Sequence, residues 1–172
     1  MADVYSVFGT LLALGIAFPG LLTGVWLLFP DSVGRAQQRL ERTPYKSLFF
    51  GLGAAMATAL VVSVLSAVPA ALFKFVGALV ALAAFAVATI GAAGATSVMS
   101  DRLQLIEGKG GLSAFVRSAL ALELAAAFPI VGWFVILPAC LVVSYGAGLF
   151  ALLRWKPRPS LAADPEPVLG SA

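Results

Sequence analysis

Long apolar runs separated by two polar stretches set the pattern of this chain. Val4–Phe29, Ser47–Val68, Leu72–Met99 and Leu112–Leu153 are apolar, and Asp31–Thr43 and Ser100–Gly111 are polar. A membrane-spanning helix needs about 20 apolar residues. The first three runs are each near that length, and the last is too long for one helix. Leu112–Leu153 is 42 residues with two charges, Arg117 and Glu123. As one helix it would be roughly 63 Å long, against a hydrocarbon core about 30 Å thick. Tilt does not absorb a factor of two, so the run is expected to fold back. The break is expected at Phe128-Pro129-Ile130-Val131-Gly132-Trp133. Pro129 removes a helical donor, Gly132 relaxes the backbone, and Trp133 is a headgroup-level ring. The competing form is a kinked single helix with an interfacial first half.

The predicted fold is an all-α integral membrane protein with five transmembrane helices. The last two form a hairpin hinged at Pro and Gly, and a short amphipathic surface helix follows the first. Residues 1–159 form a single membrane domain, and 160–172 a disordered, Pro/Ala-rich cytoplasmic tail. The amino-terminal run carries Asp3 and no basic residue ahead of it, so it reads as a retained span. Pro19 lies inside it, where a kink or a neighbour that re-satisfies the freed carbonyl is expected. Gly20 and Gly24 form a GxxxG that permits close helix approach, read first as packing within the chain and second as dimerisation. Trp26 and Phe29 are expected to mark the interface, and Pro30 to close the helix.

In Asp31–Thr43, Val33, Ala36 and Leu40 recur at helical spacing, with Arg35, Arg39 and Arg42 on the other flank. Asp31 or Ser32 is the expected cap. The segment fits a helix on the membrane surface with its arginines at lipid headgroups, or a solvated connector whose charge sets topology. Gly51, Gly53, Gly91 and Gly94 are the expected close-packing positions of the second and third spans, since small residues let helices approach in lipid. Ser100–Gly111 is expected to form a polar loop, and its Gly108-Lys109-Gly110-Gly111 lacks the spacing of a phosphate-binding loop.

Composition narrows the function classes. The chain is 61% hydrophobic and 11% charged, against about 25% charged in globular chains. The net charge of +3 is carried by few residues and argues against nucleic-acid binding. Cys140 is the single cysteine and histidine is absent, which excludes a disulfide within the chain, cysteine metal clusters, histidine-ligated cofactors and histidine-based triads. No catalytic residue, cofactor or metal site is predicted. With five spans, Arg35, Arg39, Arg42, Lys46, Arg102, Lys109, Arg154, Lys156 and Arg158 all fall on the cytoplasmic side, Arg117 snorkels to it, and only Lys74 is opposite. That is the asymmetry of the positive-inside rule, with the amino terminus outside and the carboxyl terminus inside.

Glu123 is the sharpest functional candidate, because ionisable groups inside a membrane are expensive and usually functional. Arg117 is six residues back, about 240° around the helix, so the two do not pair on one face. Glu123 reads as a proton-accessible carboxyl, as a contact with another subunit, or as a protonated acid bonded within the bundle. Thr10, Thr23, Thr58, Ser63, Ser66, Thr89, Ser97 and Ser144 are expected to bond their own helix backbones. Trp26, Trp133 and Trp155 read as belt residues. Ala17-Phe18-Pro19 with Trp26 and Pro30 echoes Ala127-Phe128-Pro129 with Trp133 and Pro138, a trace of an internal repeat.

Two patches carry a family resemblance. One is Phe29-Pro30, Val33, Arg35-Ala36, Leu40, Arg42-Thr43-Pro44 and Ser47 through Gly51. The other is Leu122-Glu123-Leu124, Pro129-Ile130-Val131-Gly132-Trp133 and Gly146-Ala147-Gly148. Together they resemble the multi-spanning membrane region of bacterial bactofilin-associated, polymer-forming proteins. The segment around Thr89-Ile90-Gly91-Ala92-Ala93 lacks the proline common in that family, and no β-helical bactofilin domain is present. The resemblance implies a scaffold-like protein of the bacterial inner membrane and assigns no catalytic residue.

The expected function is that of a non-catalytic accessory, scaffold or assembly subunit. Its expected partners are the lipid bilayer and other membrane subunits. The alternatives are a small proton- or solute-conducting transporter using Glu123, and a membrane anchor for a cytoskeletal polymer.

Overall fold

The computed structural model describes residues 2–108, 111–128 and 130–154, without the side chains of 2–14 and 107. Pro129, Lys109, Trp155, Lys156, Arg158, the Thr10 side chain and the tail from 160 lie outside this description. Every described element is a helix: α1 (Ala2–Leu28), α2 (Pro30–Arg42), α3 (Pro44–Ala67), α4 (Ala71–Glu107), α5 (Gly111–Ala127), a π-helical turn (Gly132–Ile136) and α6 (Leu137–Leu152).

Prolines place most of the boundaries. Pro30 and Pro44 start α2 and α3 at the position where a missing N–H costs nothing. Pro30 therefore opens a helix as well as ending one. Neither Asp31 nor Ser32 caps α2; its N-cap is Phe29, with no side-chain cap. The Ser32 hydroxyl instead accepts a hydrogen bond from Arg35 at 3.0 Å. Val68 is extended, as the residue before Pro69 must be, and the chain reverses there into α4. Pro138 cannot donate to the preceding turn, and the helix widens into the π-turn just before it.

The predicted break of the last run is present between Ala127 and Gly132. A Cβ on Gly132 would lie 2.6 Å from the Ala125 carbonyl oxygen, so the reversal is tight enough to require glycine.

The polar stretch from Ser100 is not a loop. α4 runs through it to Glu107 and ends at Gly108, whose φ of 65° is left-handed. Leu103, Gln104, Leu105 and Ile106 are acceptable helix formers, and polarity alone breaks no helix. Gly108 is the first residue that favours a stop.

Among the described residues, three helices are long and apolar enough to cross a membrane: Pro44–Ala67, Ala71–Ile106 and Gly132–Leu152. A fourth is reached if Gly15–Leu28 and Pro30–Arg42, bent by 105°, form one broken span. The other two expected spans are α5, which at 17 residues is at the short limit of a span, and α1, a 27-residue helix whose first half lies outside the residues with described side chains.

α4 is the central element and packs against α1, α2, α3, α5 and α6. α1 and α5 run antiparallel: Trp26 stacks on Phe115 at 5.1 Å, and Gly15 faces Glu123. Leu22, Val33, Ala93, Phe115 and Ala119 form one buried cluster, and Ala36, Ala147 and Ala151 a second. Both clusters use α2. Its apolar face is buried in protein, between α4 and α6, rather than turned toward lipid.

Candidate functional site

The densest polar chemistry lies where α2 meets the end of α6. Arg35, Arg39 and Arg42 fall within about 60° of arc on α2, yet the structure treats them differently. Arg35 donates from Nε to the Ala151 carbonyl at 2.9 Å. Ala151 is in the last turn of α6, where carbonyls lack helical donors and attract cations. Arg35 thus caps α6 from a neighbouring helix. Arg39 is only 9% exposed. Its guanidinium carbon lies 4.2 Å from the centroid of the Phe150 ring. Phe150 in turn packs on Phe50 at 4.5 Å. The Arg39 Nε is buried and has no hydrogen-bond partner. Arg42 is exposed. On another flank of α2, Gln37 donates to Glu41 and to Asp101 of α4, tying α2 to the α4 extension.

The six predicted packing glycines divide evenly. A Cβ on Gly51 would fall onto the Val142 carbonyl oxygen, and one on Gly91 onto that of Ser144. One on Gly94 would stand 2.8 Å from the Ala36 Cβ. At Gly20, Gly24 and Gly53 an added Cβ meets nothing within 4 Å. The GxxxG of α1 is therefore not a packing face among the described residues. Gly146 and Gly148 do that work on α6, against Ser47 and Val87. The Ser144, Gly146 and Gly148 run of small residues was the sequence signal for that face.

Glu123 is half-buried on α5, with Oε2 buried and unpartnered and Oε1 3.7 Å from a Cβ built on Gly15. Pro19 lies inside α1 and has no N–H, so the Gly15 carbonyl lacks its i+4 donor. An acid and a freed carbonyl thus belong to facing elements. Arg117 is exposed, six residues before Glu123 on the same helix. Thr23, Thr89 and Ser97 bond carbonyls of their own helices. Thr58 departs from that pattern and pairs with the Tyr145 hydroxyl at 2.9 Å. This pair sits in an apolar groove of about 370 Å³ between α3, α4 and α6, walled by Ala55, Phe85 and Ala88. Trp26 is packed against Phe115, whereas Trp133 is 65% exposed.

No group of His, Cys, Asp and Glu among the described residues could hold a metal ion. No family model, curated protein or solved structure matches the chain.

Proposed function

We propose that this chain is a non-catalytic integral membrane subunit that packs against, and helps assemble, a larger complex of a bacterial inner membrane. On this reading it crosses the bilayer five times, with the amino terminus outside and the carboxyl terminus cytoplasmic. α1 and α5 are the additional spans. The contacts of α2 with the α4 extension and with the end of α6 support that topology, because they gather the polar segments at one end of the bundle.

The observation that carries the subunit role is the open GxxxG face of α1. Gly20 and Gly24 leave room for close helix approach, and nothing among the described residues uses it. The bacterial setting rests on the resemblance of the two sequence patches.

Purification in gentle detergent, with mass spectrometry of what remains bound, tests the role. Stoichiometric membrane partners that are lost in Gly24→Leu, while the chain still folds, are the expected result. A lone monomer that carries measurable solute flux would contradict it.

A conducting role is the second reading, favoured by the unpartnered Glu123 oxygen. Proton or solute flux abolished in Glu123→Gln would establish it.

A further inference from the structure

The Arg39 guanidinium presents an unmet demand. Arginine is almost never so deeply buried unless paired, because the loss of hydration is offset only by an anion or by several acceptors. Arg35, four residues earlier, has found a carbonyl and a hydroxyl. Arg39 has found one aromatic face, and no acceptor for its buried Nε. The Phe150 ring covers one side of the planar group and holds its orientation. What remains is a buried Nε donor without a partner, on a guanidinium whose plane the ring holds in place.

The charges nearby agree in sign. Arg42 shares the flank and is exposed. Arg154 follows the end of α6, three residues beyond the Ala151 carbonyl that Arg35 holds. Of the carboxylates nearby, Asp31 lies two turns before Arg39 at the start of α2, and Glu41 and Asp101 both accept from Gln37, away from the arginine flank. A planar donor fork suits a tetrahedral oxyanion, which accepts two parallel hydrogen bonds.

We propose that Arg39, stacked on Phe150 and flanked by Arg42 and Arg154, forms a binding site for a phosphate group. The group is carried by an anionic lipid headgroup, or is free in solution. The assignment to a headgroup rests on the membrane reading above, whereas the requirement for an oxyanion does not.

The test uses the full chain, purified in detergent and stripped of lipid. It is offered phosphatidylglycerol, phosphatidylcholine or inorganic phosphate. Thermal midpoint and retained lipid by native mass spectrometry are the readouts. Phosphatidylglycerol is expected to raise the midpoint of the wild type and to stay bound. Arg39→Met should lose that response, with apparent affinity falling about tenfold or more. Its lipid-free midpoint should equal or exceed that of the wild type, because an apolar residue of similar volume relieves an unpaired charge. That second readout separates lost binding from failed folding. Arg102→Gln, which changes an exposed cation on α4, should behave as wild type.

Inorganic phosphate that displaces the lipid, or that alone raises the midpoint through Arg39, would keep the site and assign it to soluble phosphate. An equal phosphatidylglycerol response in Arg39→Met and wild type would overturn the proposal, as would a wild type that responds to neither phosphatidylglycerol nor inorganic phosphate, whatever phosphatidylcholine does. Loss of a protein partner in Arg39→Met without any phosphate response would overturn it in favour of a partner carboxylate. Flotation of the same protein with liposomes tests the membrane reading separately, so the two failures are distinguishable.

Discussion

The two ends of the α3–α4 hairpin are built from similar residues and packed very differently. Near its reversal at Pro69, Leu60, Val64, Leu72 and Phe75 point outward, each more than half exposed. Only 6% of the most apolar 18 residues of α3 are buried, against 33% for the stretch that contains α6. At the other end, Ser47 and Gly51 of α3 and the residues of α4 from Ala88 to Ser100 meet α2 and α6. There α3 and α4 contribute Ala, Gly, Ser and Thr to the core, whose large buried side chains, Leu22, Val33, Phe115 and Phe150, come from other helices. Large apolar side chains thus form the outer surface of this hairpin, and small ones its contacts with α6. In water that distribution would be inverted. A lipid surrounding would account for it, because lipid offers no hydrophobic drive between helices and leaves close backbone contact as the main attraction.

The comparison breaks most sharply at the glycines. Gly91→Leu or Gly146→Leu forces a side chain into backbone of a crossing helix. Either should cost about 3 kcal/mol or more, or prevent folding. Leu60→Ala and Gly53→Ala, on the open side of the same hairpin, should change stability by less than about 0.5 kcal/mol. Thermal unfolding in one detergent measures all four, and equal losses at the two ends would erase the distinction.

A smaller effect is expected at the α2–α6 contact. Arg35→Ala removes the donor from the Ala151 carbonyl and should lower stability by about 1.5 kcal/mol. Arg42→Ala on the exposed part of the same flank should be silent. Glu123 offers a finer distinction. If it donates to the Gly15 carbonyl freed by Pro19, Glu123→Gln keeps a donor and should be near neutral. Glu123→Ala should then cost about 1 kcal/mol. Equal losses in the two variants would exclude that bond. The weakest expected effect is at the groove, where Thr58→Val removes the bond to Tyr145. The cost should be about 0.6 kcal/mol, a typical figure for such bonds within a bundle.

Much of the fold was legible in the sequence, because its causes are local. Pro44, Pro69 and the Pro129–Gly132 region marked breaks, and apolar length marked the helices. The boundary at Ser100 was misread because polarity was taken as a break. Gln104 and its neighbours extend α4 by two turns until Gly108 stops it. The glycines show the limit of pattern reading. Gly20, Gly24 and Gly53 are indistinguishable in sequence from Gly51, Gly91 and Gly94. Which of them meets a helix depends on crossing points set by the whole bundle. The same holds for the arginines of α2: periodicity put Arg35, Arg39 and Arg42 on one flank, and only the position of α6 separates a cap, a buried stacked cation and an exposed one.

Sided labelling of single cysteines tests the central claim, a bundle in the bilayer whose polar segments share one face of the membrane. With Cys140 replaced by Ala, cysteines are placed at Arg42, Arg102, Arg154 and Pro69 and reacted with an impermeant maleimide in intact and in lysed cells. The account predicts that Pro69→Cys labels in intact cells and that the other three label only after lysis. Labelling of Arg154→Cys in intact cells, with Arg42→Cys protected, would contradict it.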